Sequence, residues 1–301
     1  MPTNDSELSA VATAFHQLDP RGERTAAVLR QTLDQLYDGV HTGRYRWDQL
    51  HKTEKTHCGT LVEINLHREF GFDDGLKMDY RIADIEVDCK YSQSVGGWMI
   101  PPESMGNLCL LVSADDGESS WNLGLVSIDP TIVSQGGNRD AKRTLTAAGR
   151  KHIHWLFKNA ALPPNVLLQL PRVVVDQVMS LPSGQQRIDQ IFRVAQGKII
   201  GRGVIATLGQ QDDYMKRIRG NGGSRSRLKP EGIIILGHYE EHRQIASQLE
   251  LPVPNRGELV SIRLAPATSL DTKVVVLQGN RWRIAETSDP VIEAPDCPHS
   301  K

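Results

Sequence analysis

The order of apolar and polar positions predicts helices in the first part of the chain. Within residues 21–37 the apolar side chains recur every three or four residues, which is typical of an amphipathic helix. A second helix is predicted over residues 59–70, with Leu61, Ile64 and Phe70 facing inward. The glycines and aspartates of residues 71–75 should end this helix with a turn.

Alternating apolar and polar positions then predict strands. The four predicted strands are residues 78–82, 85–92, 107–114 and 121–128. Only Ala83 and Asp84 separate the first two, so a tight hairpin is expected. Together with the basic segment 138–157, these elements predict a mixed α/β domain over residues 1–158.

Three prolines between residues 159 and 171 mark a linker, and a second domain is predicted over residues 172–301. Its predicted helices are residues 173–179, 188–195, 202–208 and 212–219. Its predicted strands are residues 232–237, 259–264 and 273–285. This order predicts an α+β domain of the winged-helix, or helix-turn-helix, kind.

The helix-turn-helix is expected between Ile188 and Arg219, with Gly209 in its turn and Asp212 or Asp213 as N-cap. Tyr214, Met215 and Ile218 should pack inward from its last helix. The basic, glycine-rich residues 220–230 that follow are expected to be a flexible wing. A charged surface helix without any partner is the alternative interpretation.

Charge is nearly balanced over the 301 residues, with a formal net charge of −1, which argues against a uniformly basic nucleic-acid binder. Locally, however, residues 201–230 hold seven Lys or Arg against two Asp, and residues 138–151 hold five against one. Such patches suit contact with a phosphate backbone at chosen places.

The four cysteines are far apart and lack the spacing of a zinc site. No apolar stretch approaches the roughly 20 residues of a membrane helix, and the first residues do not look like a signal peptide. A reduced, cytoplasmic protein without membrane association is therefore expected. Any metal it binds should have oxygen ligands.

Candidate chemistry is concentrated in the predicted strand 85–92. Alternation places Asp88 and Lys90 on the same face, about 6 to 7 Å apart. Asp79, across the hairpin, and Glu63, on the preceding helix, could reach the same point. Glu63, Asp79 and Asp88 could hold Mg²⁺, while Lys90 polarises water or a phosphate, as phosphodiester hydrolysis requires. The pattern also arises by chance, so a solvated strand face with an incidental salt bridge stays open.

Candidate DNA contacts fall in both predicted domains. Gln and Arg side chains suit bidentate contacts with base edges, and Lys suits phosphates. The candidates in the second domain are Gln210, Gln211, Lys216, Arg217, Arg219, Arg225 and Arg227. Those in the first are Lys52, Lys55, Gln93, Trp98, Met99 and Arg139. For the loop with Trp98 and Met99, a role in covering the core is an equal alternative.

Several long stretches are similar to the NaeI family of restriction endonucleases. They are residues 33–39 (LDQLYDG), 51–57 (HKTEKTH), 59–70 (GTLVEINLHREF), 87–90 (VDCK), 210–219 and 231–238 (EGIIILGH). The resemblance covers nearly the whole chain and is weakest between residues 161 and 184. Glu63, Asp79, Asp88 and Lys90 match the active-site positions of this family.

The resemblance implies a homodimer whose N-terminal nuclease domain has the PD-(D/E)xK fold. It implies a C-terminal domain with a helix-turn-helix similar to that of catabolite activator protein. Members of this family are type IIE enzymes, so one DNA copy would be cut while a second binds the C-terminal domain as effector. Cleavage in the centre of GCCGGC, leaving blunt ends, is also implied.

Two other functions stay open. A nuclease that recognises DNA structure in repair would nick or degrade DNA without discrete fragments, and a non-catalytic helix-turn-helix regulator would bind DNA without cutting it. DNA ligase activity is excluded although residues 36–39 resemble the K-x-D-G motif, because Leu36 stands where the nucleophilic lysine would be.

Overall fold

The computed structural model describes residues 3–298 and divides into two compact units. The first unit consists of the residues up to Leu36 together with Trp47–Pro163, and the second of Tyr37–Arg46 together with the residues from Pro164 onward. The division at Pro163 falls inside the predicted linker 159–171. The first predicted domain was continuous, whereas residues 37–46 belong to the second unit.

The first unit contains three long helices and a six-stranded sheet. The helices are α1 (Thr3–Leu18), α2 (Glu23–Tyr37) and α4 (Lys52–Phe70). The last residue of α2 and the short helix α3 (Gly39–Thr42) are assigned to the second unit. The strands are β1 (Asp73–Asp74), β2 (Tyr80–Ile82), β3 (Ile85–Ser92), β4 (Leu108–Asp115), β5 (Ser120–Ser127) and β6 (His154–Ala161). They lie in sequence order, and all neighbours are antiparallel except β3 and β4.

Helix α4 begins seven residues before the predicted start at Gly59. Its buried face is formed by Cys58, Val62, Leu66 and Phe70, which follow one another at intervals of four residues. Ile64 was predicted to face inward, but it is 41% exposed because it lies off this row. The buried face packs α4 against the sheet, and Glu63 lies beside it at the edge.

The second unit combines short helices with a five-stranded sheet. The remaining helices are α5 (Val166–Gln169), α6 (Arg172–Met179), α7 (Gly184–Val194), α8 (Arg202–Gly209), α9 (Ser224–Leu228) and α10 (Glu240–Gln248). The strands are β7 (Ile199–Gly201), β8 (Ile233–Leu236), β9 (Glu258–Pro266), β10 (Val275–Leu277) and β11 (Asn280–Ile284). The sheet runs β10-β11-β9-β7, with β8 also paired to β9.

Strand β8 separates two cores of this unit. Ile233 and Ile235 pack with the apolar faces of α7 and α8, and Ile234 and Leu236 pack on the opposite side with α10 and β11. A strand buried on both faces must be apolar at every position, which explains the uninterrupted run that predicted it.

Two predictions for the basic region of this unit are wrong in detail. Residues Tyr214–Ile218 form a 3-10 helix in place of the predicted third α-helix, and Met215 is 38% exposed instead of packed inward. Residues 220–230 are not an open wing, because they contain α9 and a 3-10 helix at Lys229–Glu231. Ile218 and Tyr214 do pack against the core as predicted.

Within residues 3–298, no helix is long and apolar enough to cross a membrane. Cys58, Cys89 and Cys109 are buried free thiols.

Candidate active site

A tight hairpin brings Asp79 to the strand that carries Asp88. Ala83 and Asp84 both have positive φ values, of 51° and 61°, as the turn most favoured between two antiparallel strands requires. The pairing of Tyr80 with Val87 then places Asp79 beside β3. Its Oδ2 accepts a hydrogen bond of 2.7 Å from the backbone amide of Cys89. The predicted approach of Asp79 to the strand is therefore observed.

Asp88 lies deeper than a half-buried strand face would place it. It is 4% exposed, because β4 pairs with β3 in parallel and sets Cys109 directly opposite Asp88. Its Oδ2 accepts a hydrogen bond from the buried hydroxyl of Ser104 and lies 3.7 Å from the Cys109 thiol. Burial, followed by the neighbouring carboxyl of Asp79, raises the pKa of Asp88.

Lys90 connects the two carboxylates. Its Nζ donates to Oδ1 of Asp88, to Oδ2 of Asp79 at 3.3 Å and to the Cys89 carbonyl at 2.9 Å. Burial lowers the pKa of Lys90, but the negative charges of Asp88 and Asp79 outweigh burial and hold the pKa above its usual value. Lys90 is therefore a fixed positive charge between the carboxylates, in the position where a reacting phosphate would need one.

Glu63 belongs electrostatically to the same cluster. Burial, followed by the negative charge of Asp79, raises the pKa of its carboxyl group, while Lys90 acts in the opposite direction. The Tyr80 hydroxyl donates to the backbone carbonyl of Glu63 at 2.7 Å and so ties α4 to the hairpin. The structure therefore brings Asp79, Asp88 and Lys90 into contact, and Glu63 is close enough for their charges to affect its pKa.

Glu86 alternates with Asp88 and Lys90 on β3, yet it has a different task. Its carboxylate accepts hydrogen bonds of 2.8 to 2.9 Å from the backbone amides of Leu76, Lys77 and Met78. These bonds lower its pKa and fix the turn before β2. Glu86 thus stabilises the approach to the site and contributes no ligand to it.

Comparison with known proteins decides the family. A family model described as restriction endonuclease NaeI matches residues 9–293. The type II restriction enzyme NaeI of Lentzea aerocolonigenes is 51% identical over 98% of this chain and 95% of its own length. The chain belongs to the NaeI restriction endonuclease family. As a member of this family it is a nuclease, and the cluster around Asp88 and Lys90 is its candidate active site.

The side chains of this NaeI-family site suit a magnesium ion by their chemistry. Three carboxyl groups supply hard oxygen atoms. Burial, and after it the neighbouring carboxylates, raises the pKa values of Glu63 and Asp88, and a divalent cation would offset the mutual repulsion of these groups. In the part of the chain described, no three His, Cys, Asp or Glu side chains are already grouped as metal ligands. Magnesium is commonly held by one or two carboxylates with waters and substrate phosphates, so the family site needs no complete protein cage.

One predicted DNA contact in the first unit is wrong. Trp98 is fully buried among apolar side chains, and its indole Nε1 donates to the Val112 carbonyl at 2.8 Å. It belongs to the core and has no surface to offer DNA. Gln93 and Met99, in the same loop, are half-buried.

The other candidates of this unit lie at its surface. Lys52 and Lys55 are in the first turn of α4, exposed and half-buried respectively, and Arg139 is exposed in the segment between β5 and β6. Their positions are compatible with DNA contact, which stays a prediction.

The candidates of the second unit differ in how free their side chains are. Gln210 and Arg219 are exposed. Lys216 is paired with Asp213 at 2.9 Å, and Arg217 donates to the Gln211 side chain at 2.8 Å.

Arg225 and Arg227, predicted on a flexible loop, belong to helix α9. Burial lowers the pKa of Arg225, whose Nε donates to the Ile235 carbonyl at 3.1 Å. Arg227 is paired with the buried Asp189 at 2.6 Å. Both guanidinium groups thus hold α9 against the body of the unit.

Sequence reasoning missed Ser104 and Cys109, the groups that surround the buried oxygen of Asp88. Neither lies in a motif, and both are brought to Asp88 by the parallel pairing of β3 with β4. The only sequence signal was the apolar strand 107–114, which predicted a neighbouring strand without giving its partner.

Proposed function

We propose that this chain is a magnesium-dependent type II restriction endonuclease that hydrolyses both strands of DNA at a specific site. The observation that carries the proposal is the cluster of Asp79, Asp88 and Lys90, with Glu63 beside it, in a chain 51% identical to a type II restriction enzyme. By resemblance the site is GCCGGC, cut centrally to blunt ends. The active form is a homodimer.

In this proposal each residue of the cluster has a separate task. Asp79 and Asp88 hold the metal, with Glu63 as a third ligand or as a ligand to its water. The metal supplies Lewis acidity toward the phosphate and a more acidic bound water. Lys90 orients the attacking water and stabilises the negative charge that develops on the phosphate. Ser104 holds Asp88 so that one carboxylate oxygen faces the metal.

We further propose that the second unit binds an effector copy of DNA through a winged-helix arrangement. Helix α7, strand β7, helix α8, helix α9 and strand β8 come in the order of such a fold. Helix α10 is inserted before β9, and β7 and β8 both pair with β9. The exposed Gln210 and Arg219 are beside this arrangement. Binding of effector DNA increases cleavage, as the resemblance to type IIE enzymes implies.

Digestion of a plasmid of known sequence, followed by sequencing of the fragment ends, tests the nuclease proposal. Wild-type protein with Mg²⁺ should give discrete blunt-ended fragments. Asp88→Ala and Lys90→Ala should reduce cleavage at least 1,000-fold, because an essential metal ligand or charge is lost; this corresponds to roughly 4 kcal/mol in activation free energy. Both variants should still bind duplex DNA within a few fold of the wild type. Asp73→Ala and Lys77→Ala, exposed residues of the same region, are the controls.

Each rival predicts a different result from this digest. Nicking without discrete fragments would indicate a repair nuclease, and tight binding without cleavage by the wild type would indicate a regulator. A short cognate duplex should accelerate cleavage of a poorly cut site, and the absence of stimulation at any concentration would contradict the effector site. Light scattering of the purified chain reports whether it is a dimer.

A further inference from the structure

The long connection between β5 and β6 is anchored as a fixed part of the first unit. Arg143 and Ile100 exchange two backbone hydrogen bonds, of 2.7 and 2.8 Å. Val133 and Leu145 form a second bridge, and both pack in one buried cluster with Ile100 and Trp98. We call residues 134–152 the basic arch. Its ends are held by the core and by the loop that follows β3, so the positions of its charges are defined.

The basic arch has a surplus of cationic side chains without carboxylate partners. Among the residues that the structure describes, none of its five Lys and Arg side chains forms an ion pair. These five are Arg139, Lys142, Arg143, Arg150 and Lys151. Some arginines elsewhere in the unit are paired, as Arg24 is with Glu69 at 2.8 Å and Arg81 with Asp73 at 3.2 Å. Concentrated positive charge without internal compensation favours an anionic partner.

Two glycines bring the basic arch to the end of the catalytic strand. A Cβ on Gly97 would lie 2.5 Å from the hydroxyl oxygen of Ser92, the last residue of β3. Gly96 has φ of +95°, and a Cβ there would lie 3.3 Å from the Arg150 side chain. Ser92 follows Lys90 by two residues on the same strand face, which is about 7 Å. Arg150 therefore lies against the loop that begins where β3 ends, two residues after the active-site lysine, and the positive φ of Gly96 favours glycine at this point of contact.

We propose that the basic arch binds the sugar-phosphate backbone of the substrate duplex next to the phosphate that is cut, with Arg150 as its central contact. This inference rests on the proposed nuclease function. The exposed Arg150 has a single hydrogen bond, from Nη1 to the Leu145 carbonyl at 3.2 Å, so donors of its guanidinium remain for a phosphate. Contacts with the backbone fix the register of the duplex without reading its sequence.

Cleavage kinetics of the full chain at a saturating concentration of effector duplex test this assignment. Arg150→Ala should lower kcat/KM about tenfold, mainly through KM. It should also reduce the slope of log kcat/KM against log salt by about one, because one phosphate contact is lost. Arg150→Lys should restore the slope and part of kcat/KM. Arg21→Ala, an exposed arginine of the same unit paired with Glu23, is the matched control.

Three results would overturn the proposal. They are an unchanged kcat/KM and salt slope in Arg150→Ala, an altered recognition sequence at its fragment ends, and an altered concentration of effector duplex for half-maximal stimulation. The second would make Arg150 a reader of bases, and the third would place its effect at the effector site. Melting temperatures within about 2 °C of the wild type exclude misfolding as the cause.

A failure of the nuclease proposal can be distinguished from a failure of the proposal for the basic arch. A wild-type chain that cuts no DNA would refute that proposal without deciding the role of the arch. In that case binding of duplex DNA in Ca²⁺ decides it, since Arg150→Ala should still reduce the salt slope by about one. An unchanged binding slope there would refute the arch as a DNA contact.

Discussion

At the scale of single residues, the two carboxylate oxygens of Asp88 have different surroundings. Oδ2 is enclosed by the Ser104 hydroxyl and the Cys109 thiol, whereas Oδ1 contacts the ammonium group of Lys90. Ser104 and Cys109 are fully buried and enclose Oδ2, whereas the Lys90 side chain is partly exposed, so Oδ1 is the more accessible oxygen for a metal. In the proposed function Ser104 would therefore act on metal binding through the orientation of Asp88.

Ser104→Ala should weaken metal binding without preventing folding. It leaves a buried carboxylate oxygen with one donor fewer, which costs about 1 to 3 kcal/mol and frees Asp88 to rotate. We expect the Mg²⁺ concentration for half-maximal cleavage to rise about tenfold. Calorimetric titration with Ca²⁺ measures the same loss of affinity without catalysis.

Ser113→Ala is the control for this prediction, because Ser113 is a buried serine of the same unit whose hydroxyl accepts a hydrogen bond from Asn122 and does not contact Asp88. If Ser104→Ala and Ser113→Ala both bind the metal with wild-type affinity, the Ser104 hydroxyl does not position Asp88.

The limits of sequence reasoning at this scale follow from distance along the chain. Asp88 and Lys90 share a face because strand alternation is local, and Asp79 follows from a hairpin of two turn residues. Ser104 reaches Asp88 only because β4 pairs with β3 in parallel, which no local pattern encodes. For Trp98, DNA contact and a role in covering the core were equal alternatives from the sequence. The structure shows the second, because the large indole gains more from burial than from solvent.

At the scale of elements, a buried carboxylate joins the helices of the second unit. Asp189 on α7 is 1% exposed. It accepts hydrogen bonds from the Ser224 hydroxyl at 2.6 Å, the Gln185 side chain at 2.8 Å and Arg227 Nε at 2.6 Å. Ser224 and Arg227 both belong to α9, a helix of five residues that is too short to be stable without tertiary contacts. Asp189 thus holds α9 in place.

Asp189→Ala should destabilise the second unit by about 2 to 4 kcal/mol, because several hydrogen bonds to one buried charge are lost together. Chemical denaturation followed by circular dichroism measures the change in the free energy of unfolding. Asp176→Ala removes an Asp–Arg pair of similar length, 2.7 Å, from the exposed face of α6, and should change this free energy by no more than about 0.5 kcal/mol. Equal effects of the two substitutions would refute the role of Asp189.

The same network explains why the basic region was predicted poorly. Residues 220–230 contain glycines, serines and charges, which locally favour a loop. The helix forms there because a carboxylate 35 residues away compensates for the weak helix propensity. In contrast, α2 and β8 were predicted well because periodic or uninterrupted apolar patterns fix them.

At the scale of the whole molecule, each unit has a core of its own, and each proposed ligand belongs to one unit. In the proposed function the metal binds to the first unit through Asp79 and Asp88. A ligand that binds only the folded form stabilises the unit that holds it, by about 2.7 kcal/mol at 100 times its Kd. Units with separate cores unfold in separate steps unless their interface couples them strongly. Ligand-dependent unfolding can therefore assign each site to a unit.

Differential scanning calorimetry of the full chain should show two transitions. Saturating Mg²⁺ should raise the midpoint temperature of one transition by about 5 °C or more and leave that of the other within about 1 °C. The reason is that binding adds about 2.7 kcal/mol to the stability of a unit of roughly 150 residues. Asp88→Ala should abolish this shift. Asp189→Ala should lower the other transition by about 5 °C or more and thereby identify it as the second unit. A Mg²⁺ shift in the transition that Asp189→Ala lowers would place the metal in the wrong unit and contradict the active site proposed around Asp88.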